Sequence, residues 1–179
     1  MTDQELESLL DDPESDRVER KESAADGDKI RQTICAFAND LPDHRQPGVL
    51  FVGVNDQGAP TGLAITDPLL QNLASMRGDG NILPFPLLTV QKRRLKGQDV
   101  AVVLVQPADA PPVRFKGTVW VRVGPRRAVA SPQEERILAE RRRHRDAPFD
   151  IYPLREADLR VRMVEYLPVG MEFGVIYQN

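Results

Sequence analysis

The sequence predicts an α+β domain built on a mixed, largely antiparallel sheet with flanking helices. Three observations carry this expectation. A short polar strand, an amphipathic helix and an apolar strand follow one another between residues 17 and 54, the pattern of a βαβ unit. The runs LLTVQKRRL and QDVAVVLVQ flank Lys96-Gly97, a hairpin signal. PVRFK and TVWVRVG flank Lys116-Gly117 in the same way.

In chain order, TDQELESLL begins with a helix cap at Thr2 or Asp3 and spaces Leu6, Leu9 and Leu10 on one helical face. Asp12-Pro13 ends it, because a residue before proline avoids the α region. A strand over Arg17–Lys21 follows. From Asp26 or Asp28, Ile30, Thr33, Ile34, Phe37 and Ala38 recur at three- and four-residue steps to Asn39, a helix with one apolar face. After the loop DLPDHRQPG, GVLFVGV is apolar throughout and reads as a strand buried on both faces. Asn55-Asp56-Gln57-Gly58 is a turn. TDPLLQNLAS has Thr66 or Asp67 as cap and Pro68 in its first turn. RGDGNILPFP reads as loop before the two hairpins. SPQEERILAERRRHR carries Ser131 as cap and Glu134 at the capping-box position. Beyond Pro148 the chain reads as an extended piece, a short helix over EADLRVRMVEYL and a weakly specified end. The expected organisation is an N-terminal helix over 1–13, a domain over 14–145 and an extension over 146–179.

Composition excludes several classes. At 41% hydrophobic and 28% charged residues the chain is globular, and no run approaches the roughly 18 apolar residues of a membrane span. The acidic N-terminus lacks a signal-peptide pattern, and one cysteine, Cys35, rules out an internal disulfide framework, so the expected location is cytoplasmic. The net charge of −3 hides an asymmetry. Residues 1–28 hold eleven acids against Arg17, Arg20 and Lys21; residues 81–130 hold nine bases against Asp99 and Asp109. An acidic chain can thus still present a basic face to a polyanion. Lys92, Arg93, Arg94 and Lys96 cluster around one strand, and Arg122, Arg126 and Arg127 flank the bend at Gly124-Pro125. Such clusters favour backbone phosphates by counter-ion release, and they also suit outward-facing strand positions. Trp120 shares a face with Arg122 on a regular strand, where it either stacks on a base or packs into the core.

In ESDRVERKES, Glu14 and Glu19 stand five apart, a step that turns the side chain away on a helix and to the opposite face on a strand. The two carboxylates converge only if Glu14 lies in an approach loop; otherwise the stretch is a solvated charge run. No G-x-x-x-x-G-K-[ST] loop is present, so no ATP site is expected.

Taken in order, ESDRVERKES, ICAFAND, GVLFVGVNDQGAPTGL and VWVRVGPRRAVAS resemble the Schlafen AlbA-like domain family, a family associated with DNA binding and once grouped with divergent AAA-type ATPases. The likeness spans about residues 14–143. Two departures stand out: Arg20 replaces the phenylalanine of the family's E-F-K, and DLPDHRQPG replaces a tighter Asn-Thr-x-Gly-Gly turn. The resemblance implies nucleic-acid binding. In eukaryotic relatives it also implies a metal-dependent RNA-cleaving site, whose three carboxylates fall here on Glu14, Glu19 and Asp56, so the alternative expectation is an endonuclease acting on tRNA-like RNA or single-stranded DNA. Mg²⁺ or Mn²⁺ held by carboxylates supplies a nucleophilic water and a stabilised leaving oxygen. Lys21, two residues after Glu19 and on the same face, would complete such a catalytic set by stabilising the phosphate. The alternative role for Glu19 and Lys21 is a strand ion pair. Eukaryotic relatives carry two such domains in one chain, so a single copy implies a homodimer, and a regulatory assembly module is the third reading.

Overall fold

The computed structural model describes residues 1–11 and 15–146. The expected C-terminal extended piece and helix lie outside them. Residues 1–145 form one compact unit. The element order is α1 (Asp3–Asp11), β1 (Val18–Lys21), α2 (Gly27–Asn39), β2 (Gly48–Val52), α3 (Asp67–Ser75), β3 (Ile82–Leu83), β4 (Leu88–Leu95), β5 (Gln98–Val105), β6 (Arg114–Phe115), β7 (Trp120–Val123), β8 (Arg126–Val129) and α4 (Pro132–Asp146).

A four-stranded sheet runs β1-β2-β5-β4, parallel between β1 and β2 and antiparallel elsewhere. The parallel pair is the expected βαβ unit, with α2 as crossover. Every residue of β2 is buried, because it lies inside the sheet with packed layers on both faces. Alternation sorts the neighbours of β2. Leu50 and Val52 join Ile30, Ile34, Phe37 and Ala38 of α2 in the larger core; Val18, Val49 and Phe51 pack against Leu6 and Leu10 of α1. The sheet therefore has an α2 face and an α1 face. Glu19 and Lys21 belong to the first, Val18 and Arg20 to the second.

The helices begin as the sequence specifies. The Asp26 side chain accepts from Lys29 N, the Thr66 side chain from Leu69 N, and Ser131 and Glu134 form a reciprocal capping box. Lys96 (φ 47°) and Gly97 (φ 78°) make the tight turn between β4 and β5.

The second expected hairpin is corrected. Lys116-Gly117 does form a two-residue turn, but it closes a single bridge between Phe115 and Thr118. β6 pairs with β3, a two-residue strand in the stretch expected to be loop, and β7 pairs with β8 across Gly124-Pro125. On the β7–β8 hairpin, Val121 packs with Val119, Ala130 and Leu138 of α4. Trp120, Arg122, Arg127 and Val129 share the opposite side. Among the described residues no helix is long and apolar enough to cross a membrane.

Candidate functional site

The β7–β8 hairpin is fixed against α2 by Asn39, the last residue of the Ala-Phe-Ala-Asn block. The buried Asn39 amide donates to Val113 O at 2.9 Å and Trp120 O at 2.7 Å, and its oxygen accepts from Val113 N at 2.7 Å. Cys35, one turn earlier, donates its thiol to Val113 O, and burial pushes that thiol up to about 11. It is a core residue, not a nucleophile.

From this anchored strand Arg122 reaches β1. Its guanidinium donates to Glu19 Oε2, to Ser15 O at 2.6 Å and to Val18 O at 3.2 Å, and lies 5.4 Å from the centroid of the Phe37 ring. Lys21 Nζ meets the other oxygen, Glu19 Oε1, at 2.5 Å, and Arg127 Nε lies 3.9 Å from it. Glu19 is 4% exposed and Arg122 2%. Burial alone would raise the Glu19 pKa, but hydrogen bonds from Lys21 and Arg122 outweigh it and hold the carboxyl below its ordinary range. Glu19 is therefore an ionised strut between β1 and the hairpin.

Beside this strut an open cleft is lined by Glu19, Gln32, Trp120, Pro125, Arg126 and Arg127. Arg127 is held in place by Lys29 O at 2.6 Å and Gln32 Oε1 at 3.3 Å. Arg126 is exposed and makes no ion pair with a described residue. Trp120 is half-buried, with one side against the core and the other in the cleft. Glu19, the one carboxylate among the described residues lining this cleft, is countered by Lys21, Arg122 and, at 3.9 Å, Arg127, and exposed Arg126 adds a further positive charge.

The remaining expected site residues fall as follows. Arg122, expected to meet phosphates, is buried in the strut and out of their reach, because the Glu19 charge draws it inward. Lys92, Arg93, Arg94 and Lys96 do not form one patch, since alternation along β4 sends them to two faces. Lys92 pairs with Asp99 at 2.8 Å, Arg93 with Asp3 at 3.2 Å and Lys96 with Asp11 at 2.6 Å. Acids of α1 thus neutralise part of the cluster, and β4 is a charged edge strand of the kind that resists further pairing. Arg94 is exposed beside Gly62–Ile65 and Asp99.

Glu14 lies outside the described residues. Asp56 is exposed in its turn, and the neighbouring Gly58 packs against Leu10 O, on the α1 side of the sheet. Glu19 faces the other side, so the structure does not bring these two carboxylates together. Both Glu19 oxygens are already engaged by cations. Among the described residues no group of three or more His, Cys, Asp or Glu side chains is arranged to hold a metal ion. Glu19 and Asp56 as placed do not fit a divalent cation, and no hydrolytic step follows from them.

Arg20 explains one departure from the family pattern. It points to the α1 face and donates to Leu9 O and Leu10 O, each at 3.1 Å. α1 has no basic residue in its own last turn, and Arg20 supplies the cation that its terminal carbonyls favour.

Reading the sequence missed Asn39 and Gln32. Asn39 closes a recognised block, and an amide at the end of an apolar helical face signals a buried hydrogen-bonding role. Gln32 carried no signal of its own.

The family model described as Schlafen, AlbA_2 matches residues 14–131. Among solved structures, one similar to this chain is the N-terminal domain of a protein from Nitrosomonas europaea, whose name relates it to the ATP-dependent DNA helicase RecG. The TM-score is 0.52 and the identity 29%, over 70% of this chain and 90% of that one. The DIP2311 protein of Corynebacterium diphtheriae gives a TM-score of 0.55 at 23% identity, over 82% of this chain and 32% of that one, a likeness of fold alone. No curated protein matches the chain.

Proposed function

This chain belongs to the Schlafen AlbA_2 family, and from that premise we propose that it binds nucleic acid in the cleft between the β7–β8 hairpin, β1 and α2. One observation carries the proposal: Arg126 and Arg127 stand beside a half-buried tryptophan in a cleft where Glu19, the one acid among the described lining residues, is already ion-paired. Guanidinium groups meet phosphate oxygens by charge-assisted, bidentate hydrogen bonds. Arg127 is pre-positioned by its bonds to α2, so little side-chain freedom is lost when a phosphate arrives. The name of the Nitrosomonas protein ties that relative to DNA, which supports DNA as the polymer.

The nuclease reading is not favoured. A metal ion on Glu19 Oε1 would have to compete with Lys21, and one on Oε2 with Arg122, whose displacement would leave a buried, uncompensated cation. We further propose a homodimer in the cytoplasm, checked by light scattering and by cell fractionation.

Binding is tested by fluorescence anisotropy of a labelled oligonucleotide across a salt series. The affinity of the wild type should fall linearly with salt on logarithmic axes. Arg126→Ala should reduce that slope by about 0.7–0.9, the share of one phosphate contact. No binding at low salt, or a slope that Arg126→Ala leaves unchanged, removes the cleft as the site.

A further inference from the structure

Resting on that reading, we infer that the cleft is built for an unpaired strand, with Trp120 as the platform on which a single base stacks. The indole sits at the start of β7 with its backbone pinned by Asn39 and one side against the core, so it is a rigid surface and not a mobile flap. Its cross-strand partner, Val129, is 56% exposed and extends the apolar surface outward. Pro125 at the hairpin bend forms one wall and Gln32 of α2 the other. Gln32 gives its oxygen to Arg127 and keeps its amide N–H groups for an acceptor on a base edge.

Charge complementarity selects the occupant. An apolar platform alone would suit many ligands, but Arg126 and Arg127 lining the same cleft favour one that carries an anion within reach of the stacked group. A nucleotide has that combination, an aromatic face joined to a phosphate. In a duplex the base faces are covered by their neighbours and only edges and phosphates are open, so a double strand engages the arginines and leaves the indole bare. A single strand engages both, and base–aromatic stacking tolerates any base because each has a π-face.

Trp120 is the sole tryptophan of the chain, so its fluorescence reports this site without labelling. Titration of the full chain with a single-stranded oligonucleotide should quench that emission and shield it from iodide, while a duplex of the same sequence should bind more weakly and quench little. Trp120→Phe should keep most of the single-strand affinity, and Trp120→Leu, which keeps apolar bulk without a π-face, should lose it by about fivefold or more. Thermal melts of both variants control for folding, and the wild-type quenching measurement needs no variant. Equal affinity for duplex and single strand without quenching overturns the stacking inference but leaves phosphate binding in the cleft intact. Binding of neither polymer overturns both.

Discussion

Arg122→Met is the most informative perturbation of the strut. Methionine keeps the apolar stem but removes the guanidinium, which donates to Glu19, Ser15 O and Val18 O and lies over the Phe37 ring. With Glu19 only 4% exposed, the variant leaves a buried carboxylate held by Lys21 and the more distant Arg127. Removing one partner of a buried pair costs about 3–5 kcal/mol. Lys21 remains in contact, which places the expected loss near the lower end, about 3 kcal/mol. That is a large part of the roughly 5–15 kcal/mol that keeps a domain folded. Urea unfolding followed by circular dichroism measures it, with an unchanged m-value as the sign that compactness is preserved. The double variant Glu19→Met with Arg122→Met removes both charges and should recover much of the loss, since Lys21 can turn to water. A single-variant loss below about 1 kcal/mol, the range of an exposed pair, would refute the strut. So would a double variant no more stable than the single.

Because its folded pKa is depressed, Glu19 contributes stability that is complete above the unfolded value near 4.5 and is lost as pH falls through the lower folded value. The stability gap between wild type and Glu19→Gln should therefore be full at neutral pH and close in the acid range, as read from urea midpoints at stepped pH. Gly58→Ala should destabilise by about 2 kcal/mol or more. Its φ is +75°, and a Cβ there would sit 1.9 Å from the backbone oxygen of Leu10. Cys35 should resist thiol reagents in the native protein at neutral pH and react on unfolding, a difference that a colorimetric thiol assay reads.

Much of the fold was legible because local and global signals agree. The unbroken apolar run Gly48–Val52 reads as an interior strand, and Ile30, Ile34 and Phe37 mark the buried face of α2. The Lys96-Gly97 turn joined two strands long enough to fix their register. The β3–β6 pairing was not legible, since a two-residue strand within Ile82–Pro86 carries no periodicity. Lys116-Gly117 gave a true turn signal, yet β7 takes its partner from beyond Gly124-Pro125, a choice made by packing against α2 and α4.

The site was read less well than the fold. Lys92, Arg93, Arg94 and Lys96 looked like one patch because they are neighbours in sequence, although strand alternation already separates their faces. No local feature announces that Arg122 is buried. Its fate is set by Glu19, 103 residues away, and by the carbonyls at Ser15 and Val18. Arg126 and Arg127 follow the Gly124-Pro125 bend in sequence, but the cleft they line needs Gln32 from a distant helix.

Charge reversal at two exposed arginines, Arg126→Glu and Arg94→Glu, compares the cleft with β4 directly, read as the anisotropy of a labelled single-stranded oligonucleotide at low salt. Loss of affinity on the order of tenfold for the first, with little change for the second, is the result expected if the strand lies against the β7–β8 hairpin. Equal losses at both positions, or a larger one at Arg94, would move the polymer onto β4 and contradict the site described here.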